Sequence, residues 1–246
     1  MRIGYPNFAT SVTESTPCKS GCYPENIFRE SVSLKYSPDG ETGFIIIEIS
    51  ETANTLLLDG IEGDRCVVKI LDSEKNVLQN FDYELRKTDS RIGEYTISRV
   101  LTDYKEVQNK HFVQIDLTKG SSNNIAVGIV YAAWTGCPFK EPEGAATSLD
   151  EHSIEYDLSF GHETSKKGKN RDIISIDIEF RRDKEQYEAL ITKLKEVRIE
   201  PAIIILCESD KGPLSVYYAR VEKKSVKFDI PTNIERNVSF SIKQII

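Results

Sequence analysis

The chain has 246 residues, of which 39% are hydrophobic and 29% charged, and its formal net charge is −7. This length suits one large β domain or two smaller ones, either with an adequate core. Apolar runs stay below the roughly 18 residues of a membrane-spanning helix, and the N-terminus lacks the apolar segment of a secretory signal, so we expect no membrane insertion. The acidic excess argues against nucleic acid as a partner, because phosphate binding needs a positive field.

The charge is divided unevenly along the chain. The first 150 residues hold 15 basic and 22 acidic residues, whereas the remainder holds 17 of each, so the first part carries the whole net charge. Asymmetry of this kind favours two domains.

The first part of the chain has the pattern of an all-β domain. Short runs of β-branched and aromatic residues alternate with turn signals such as Asp59-Gly60, as in a sandwich or jelly roll, and no amphipathic helix is indicated before residue 150. The predicted strands are residues 44–49, 55–58, 65–71, 76–85, 94–100, 111–117 and 125–132, with a hairpin turn at 72–75.

A change in composition then indicates a boundary. Residues 136–150 are rich in Gly, Pro, Ala, Ser and acidic residues, which is typical of a linker. We therefore predict a β-sandwich at 1–140, a linker at 141–150 and a second domain at 151–246.

The second domain begins with an alternating strand and a capped helix. Ile174, Ile176 and Ile178 alternate with polar residues, and Asp183 with Gln186 has the spacing of a capping box. Pro201 disfavours helix just before it, so the helix should end there. The apolar stripe predicted for the helix consists of Tyr187, Leu190, Ile191, Leu194 and Val197.

Four strands complete this domain. Residues 202–207 form a continuous apolar run, typical of a central strand, and residues 214–221, 225–230 and 237–245 alternate again. The predicted fold class is thus mainly β: an N-terminal β-sandwich or jelly roll, followed by an antiparallel β domain with one flanking α-helix.

The order of these segments resembles known proteins. Tyr23-Pro24-Glu25-Asn26-Ile27, followed by the strand at 43–49, resembles the opening of discoidin-like, galactose-binding-type jelly rolls, and the hairpin at 66–78 and the strand pair 111–117 and 125–133 match their later parts. Over nearly its full length the chain is similar to bacteriophage and prophage tail proteins, in which a discoidin-like domain, an aromatic linker and a strand–helix–strand–strand module follow one another. The matching segments are residues 127–133, 156–161, 173–197 and 238–245. The chain departs from that pattern at 33–36, which lack tryptophan, and at Gln244, where an acidic residue is usual.

The resemblance implies a structural protein of a phage tail, at its tip, whose second module is similar to the tail-tube fold and assembles into rings. Its partners would be other copies of itself and neighbouring tail proteins, without a cofactor. Its location would be the virion, after assembly in the host cytoplasm. The alternative is a carbohydrate-binding module or accessory protein that contacts host-surface glycans.

Aromatic side chains are the candidate contacts. Tyr23, Tyr36 and Trp134 have the chemistry to stack on sugar faces, and Trp134, at the end of a strand, would otherwise fill a domain junction or the core. Tyr217 and Tyr218 point to opposite faces of their strand, so at least one should reach a surface or interface. The predicted interface or ligand contacts are Tyr23, Tyr36, Trp134, Tyr217 and Phe240.

Catalytic motifs are absent from the sequence. It has no GxSxG, HExxH, P-loop or GxGxxG pattern, and no spacing links Cys137 or Cys207 to a histidine. Carboxylates on predicted strands leave a glycosidase-like pair open, but Asp177 and Glu179 lie on a polar strand face, which favours a solvated or interfacial role. We expect no catalysis. The strand carboxylates are Glu48, Asp116, Asp177 and Glu179.

We also expect no bound metal. The five cysteines are odd in number and include no CxxC, which favours reduced thiols, and the histidines form no ligand pattern with Cys18 and Cys22. A structural calcium ion lacks a DxDxDG-like loop to support it. The residues considered for calcium are Asp39, Asp59 and Glu62. The basic run at 166–171 is predicted to be a solvated hairpin or a subunit contact.

Overall fold

The computed structural model describes residues 1–29, 31, 33–90, 93–136, 139, 144–150, 154–158, 162–166, 171–181, 183–197, 200–206, 216–222, 225–229 and 235–245. Cys137 and Cys207 lie outside these residues, as do most of the basic run at 166–171 and part of the aromatic segment at 156–161. Within the described part, no helix has the length and hydrophobicity of a membrane span.

Eleven strands and one 3-10 turn, Pro24–Phe28, lie in the first part of the chain. The strands are β1 (Arg2–Gly4), β2 (Ala9–Ser15), β3 (Thr42–Ile49), β4 (Ala53–Asp59), β5 (Arg65–Leu71), β6 (Val77–Glu84), β7 (Arg86–Asp89), β8 (Gly93–Thr96), β9 (Arg99–Val107), β10 (His111–Thr118) and β11 (Ile129–Ala133).

Eight of these strands form a β-sandwich. A five-stranded sheet, in the order β2-β3-β10-β5-β6, packs on a three-stranded sheet, in the order β11-β4-β9, and every pair is antiparallel. Alternate residues of each strand enter the shared core, as in β3 and β5, because a strand exposes one face to each side. The predicted β-sandwich is confirmed. The predicted strand at 94–100 is wrong in one respect, since it is broken at residues 97–98 and belongs to two strands, β8 and β9.

The rest of the chain forms a further sheet outside the sandwich, which we call the second sheet, together with one helix and a separate hairpin. Its elements are β12 (Gly144–Asp150), β13 (Ile154–Leu158), β14 (His162–Lys166), β15 (Arg171–Arg181), α1 (Lys184–Glu196), β16 (Ala202–Ile205), β17 (Val216–Val221), β18 (Lys227–Asp229) and β19 (Glu235–Gln244). The antiparallel sheet has the order β1-β16-β17-β19-β15-β12, with β18 added on β19, and β13 and β14 form a separate hairpin.

The helix α1 covers one face of this sheet. The Asp183 side chain accepts a hydrogen bond from the Gln186 backbone N–H at 3.0 Å, so the predicted N-cap is confirmed, and the helix ends before Pro201 as predicted. The predicted stripe packs on the strands, with only Ile191 partly exposed. The side chains buried beneath the helix include Ile174, Ile176, Ile178, Phe180, Val238, Phe240 and Ile242.

On the opposite face of the sheet, strands β16 and β17 pack on the β-sandwich. Ile203 and Ile205 of β16 and Tyr218 of β17 form one buried cluster with Ile129 and Tyr131 of β11. All four residues of β16 are therefore buried, because one face meets the helix layer and the other meets β11. The Tyr131 hydroxyl donates to the Pro201 carbonyl oxygen at 2.9 Å and completes this junction.

Two ion pairs border the junction, one partly buried and one buried. The guanidinium of Arg2 in β1 contacts Asp103 of β9 at 2.8 Å. The guanidinium of Arg99 contacts Asp59 of β4 at 2.7 Å and donates a second hydrogen bond, at 2.6 Å, to the carbonyl oxygen of Val216 in β17. Strands from both sheets thus share charged hydrogen bonds as well as apolar contacts.

Two segments differ from the predicted division of the chain. Residues 144–150, predicted as linker, form β12 and pair with β15, because a polar composition does not prevent an edge strand from pairing on one side. Residues 2–4, assigned to the first domain, pair with β16 of the second sheet. The division into two domains otherwise stays a prediction.

The Asp59–Arg99 pair should be sensitive to loss of one charge. Its side chains are only 7% and 10% exposed, so Asp59→Asn removes a charged partner from a buried guanidinium, and we expect the free energy of unfolding to fall by about 3–5 kcal/mol. Urea unfolding measures this change. Asp82→Asn is the matched control, because its partner Arg65 is largely exposed and the loss there should stay below about 1 kcal/mol. Equal losses in both variants would contradict the structural role of the buried pair.

Candidate functional site

The long connections of the β-sandwich gather at one end. Residues 16–41, 60–64, 85–98 and 119–128 all emerge there, because successive strands run in opposite directions and these connections follow strands that point the same way. The opposite end carries short connections at 50–52, 72–76 and 108–110. The loop-rich end is therefore the place to look for a binding site.

Side chains fix these connections to one another. The Asn26 amide donates to the carbonyl oxygens of Gly21 and Lys35, which closes the connection around the 3-10 turn. The Asn124 amide donates to Glu62 Oε2 at 2.8 Å and so joins two further connections. Such contacts hold loops in one arrangement, which lowers the entropic cost of binding.

A two-stranded hairpin, β7–β8, projects from this end and presents two different faces. In its register Arg86 lies opposite Thr96 and Lys87 opposite Tyr95, and opposed residues of an antiparallel pair point to the same side. One face therefore carries Arg86 with Glu94, and the other carries Lys87 with Tyr95.

The face with Tyr95 overhangs a groove of about 830 Å³ between the edge strands β6 and β9. The hydroxyl groups of Tyr83 in β6 and Thr102 in β9 form a hydrogen bond of 2.9 Å between the two sheets of the sandwich. Farther along, the Gln79 amide exchanges two hydrogen bonds with the Lys105 backbone. We call this cavity the hairpin groove. It is lined by Asp82, Tyr83, Glu84, Leu85, Lys87, Tyr95, Thr96, Ile97, Ser98, Arg99, Val100 and Leu101.

The face with Arg86 closes a smaller and more polar cleft of about 440 Å³. The Arg86 guanidinium pairs with Glu94 at 2.6 Å and donates to the Ser121 hydroxyl. We call this cavity the Arg86 cleft. It is lined by Arg86, Glu94, Tyr95, Thr96, Ser121, Ser122 and Asn123.

Asp64 holds the loop that forms one wall of the Arg86 cleft. Its carboxylate accepts hydrogen bonds from the Ser122 hydroxyl, from the Ser121 backbone N–H at 2.7 Å and from the Ser121 hydroxyl at 2.8 Å. These donors, with the Arg86 charge as a smaller contribution, lower the pKa of Asp64 to about 2. The carboxylate is thus ionised across the physiological pH range.

The predicted contacts do not meet at this site. Tyr23, 58% exposed, lies at the loop-rich end, whereas Trp134, 46% exposed, follows β11 at the opposite end and donates its indole N–H to Glu106 at 3.2 Å. Trp134 is therefore not the junction plug considered above.

The other three predicted interface or ligand contacts, Tyr36, Tyr217 and Phe240, are buried within this chain. Tyr36 lies in the sandwich core, where its hydroxyl bonds to the carbonyl oxygen of Phe44 at 2.9 Å. Tyr217 and Phe240 lie between the second sheet and α1. The expectation for Tyr217 and Tyr218 is met inside the chain, since Tyr218 packs at the junction with the sandwich.

The sequence reasoning missed Tyr95, which is 41% exposed. Residues 94–100 were assigned to one strand, which hid the hairpin. A usable signal was present in Asp89, Ser90 and Gly93, turn-forming residues between two polar stretches, and Gly93 has the positive φ of +79° that such a turn requires.

Carboxylates considered for catalysis or metal binding have other partners. Glu48 pairs with Lys110 at 2.8 Å, and Asp116 with Lys69 at 2.7 Å. Asp177 borders a shallow cleft of about 410 Å³ that also holds Ser175, Ser239 and Ser241. In the part of the chain that the structure describes, no three His, Cys, Asp or Glu side chains are grouped to hold a metal ion. The absence of catalysis stays a prediction.

Comparisons with known proteins find likeness among solved structures alone. No family model and no curated protein match the sequence. The chain is similar to chitosan-binding module 1 of a chitosanase/glucanase from Paenibacillus sp. IK-5 (10% identity, 52% of this chain and 98% of that chain, TM-score 0.39). It is similar to the lectin domain of lectinolysin complexed with Lewis b antigen (10% identity, 54% and 99%, TM-score 0.42) and to a fucose-binding module of Streptococcus pneumoniae (11% identity, 52% and 94%, TM-score 0.39). All three scores lie below 0.5, so the likeness fixes neither the ligand nor the function of this chain.

The hydrogen bonds to Asp64, in the wall of the Arg86 cleft, predict the pH at which its carboxyl group titrates. Ser122→Ala should raise the pKa of Asp64 from about 2 toward its usual value of about 4, measured by NMR titration of the carboxyl carbon. Because the folded-state pKa lies below the unfolded one, ionised Asp64 stabilises the fold above about pH 4, and this contribution is lost as the pH falls toward 2. Ser241→Ala, in the second sheet, should leave the titration unchanged. A pKa near 4 in the unmodified protein would show that these hydrogen bonds do not persist in solution.

Proposed function

We propose that this protein binds carbohydrate, without catalysis, at the β7–β8 hairpin of its β-sandwich. The observation that carries the proposal is the exposed ring of Tyr95 above the hairpin groove, with hydrogen-bonding side chains on both sides of it.

The composition of the two cavities suits a saccharide. A pyranose ring has C–H faces that pack on an aromatic ring, and hydroxyl groups at its rim that need donors and acceptors. Tyr95 supplies the flat apolar surface, and Arg86 and Glu94 supply a donor-only and an acceptor-only group beside it. The hairpin groove has a volume within the usual range for small-molecule sites.

The test is saccharide binding that depends on Tyr95. An array should include chitosan oligosaccharides, fucose and Lewis b, the ligands named for the three structures above, together with common neutral sugars. We expect Tyr95→Ala to weaken binding by about tenfold or more, and Tyr95→Phe to keep most of it, because stacking needs the ring and not the hydroxyl.

Tyr23→Ala is the matched control, since Tyr23 is an exposed tyrosine at the same end but does not line either cavity. Its binding should equal that of the unmodified protein. The proposal would be refuted if the protein bound no saccharide on the array, or if Tyr95→Ala bound as tightly as the unmodified protein.

A second candidate is a ring-forming structural protein of a phage tail tip, in which the β-sandwich contacts a host-surface glycan. The observation that favours it is the edge strand β6, which pairs only with β5 among the described strands and exposes Val77 and Leu78. An exposed apolar edge is a template for pairing between chains. Its partners would be other copies and neighbouring tail proteins, and its location the virion.

This candidate predicts self-assembly through β6. Light scattering and negative-stain microscopy should show ring-like oligomers, and Leu78→Lys should dissociate them, because a charge at an apolar edge opposes strand pairing. Thr10→Lys, on β2 at the other edge of the same sheet, is the control and should assemble normally. A monomer at every concentration would leave carbohydrate binding as the function without a ring.

A further inference from the structure

We infer that the site takes a neutral saccharide of at least two units, with one unit on Tyr95 in the hairpin groove and the next in the Arg86 cleft. This inference rests on the carbohydrate binding proposed above and names the class of ligand that the same site accepts.

The first argument is that the two cavities share lining residues. They lie on opposite faces of the hairpin, yet both are lined by Tyr95 and Thr96 of β8. In the described part of the chain β8 pairs with β7 alone, so a ligand that crosses its outer edge meets backbone N–H and C=O groups as well as the Tyr95 ring. A single sugar ring would fill only one side of this edge.

The second argument is the difference in chemistry between the cavities. The hairpin groove includes Ile97, Val100 and Leu101 and offers apolar contact next to Tyr95. The Arg86 cleft is lined by hydroxyl, amide and charged groups, with Tyr95 at its border. One unit thus gains by stacking and the other by hydrogen bonds, which a linked pair of sugars satisfies together.

The third argument is the charge of the Arg86 cleft. Arg86 is already paired with Glu94, and the Asp64 carboxylate lies behind Ser121 and Ser122, so two carboxylates face one guanidinium. A sugar hydroxyl can accept from Arg86 and donate to Glu94 at once, because it is both acceptor and donor. A uronate or sialate carboxylate would instead meet an excess of negative charge. The cleft therefore selects neutral saccharides.

Calorimetry with saccharides of increasing length tests the inference. The probes are glucose, galactose, N-acetylglucosamine and fucose, the neutral oligomers of the first three up to four units, and oligogalacturonates as acidic counterparts. We expect affinity to rise by about tenfold from one unit to two for the best series, and the oligogalacturonates to bind at least tenfold more weakly than the matching neutral galactose oligomers.

Arg86→Met should remove the rise in affinity from the second unit, because the cleft then loses its charged donor. Lys75→Met is the matched control, since Lys75 is also an exposed cation in an ion pair, with Glu14, but lies at the opposite end of the sandwich. Lys75→Met should keep the rise in affinity from one sugar unit to two.

The outcomes separate this inference from the proposal on which it rests. The inference is overturned if binding depends on Tyr95 but its affinity does not rise with a second sugar unit. It is also overturned if Arg86→Met keeps the full rise in affinity. Either result leaves carbohydrate binding intact. Tighter binding of the oligogalacturonates overturns the selection for neutral sugars. Absence of binding to every saccharide overturns both.

Discussion

The packing of β16 and β17 against β11 is the contact on which the rest of the structure depends. Ile203, Ile205 and Tyr218 are buried against Ile129 and Tyr131, so the sandwich and the second sheet share one apolar layer. Full burial of side chains of this size contributes about 1.5–3 kcal/mol each, which makes separation of the two sheets costly. Strands β16 and β17 of the second sheet are thus covered on both faces, by the helix layer and by the sandwich.

This junction also supports the loop-rich end of the sandwich. Arg99 lies at the start of β9, lines the hairpin groove and donates to the carbonyl oxygen of Val216 in the second sheet. Its pairing with Asp59 fixes the same guanidinium from the sandwich side. Arg99, in one wall of the hairpin groove, is therefore bound both to the sandwich and to the second sheet. The β7–β8 hairpin precedes this residue directly in the chain.

Local patterns predicted the elements that depend on nearest neighbours. The alternation that gave β15, the Asp183 cap and the helix stripe all arise within a few residues, and each is confirmed. The assignments that failed depend on distant contacts. The sequence predicts Tyr36 and Phe240 as interface or ligand contacts, but nothing near them in sequence reveals the layers that bury them. The linker composition of residues 144–150 likewise gave no sign of β15 as a pairing partner.

The candidate site shows the same division. Turn-forming residues around Gly93 are a local signal, so the hairpin was within reach of the sequence, whereas the two cavities were not, because each needs segments far apart in the chain. The Arg86 cleft joins residues 86–96 to residues 121–123, and the hairpin groove joins β6 to β9. A site of this kind is made by the closure of the sandwich. The continuous apolar run at 202–207 predicted a different long-range feature, the burial of β16, because a strand buried on both faces requires a layer on each side.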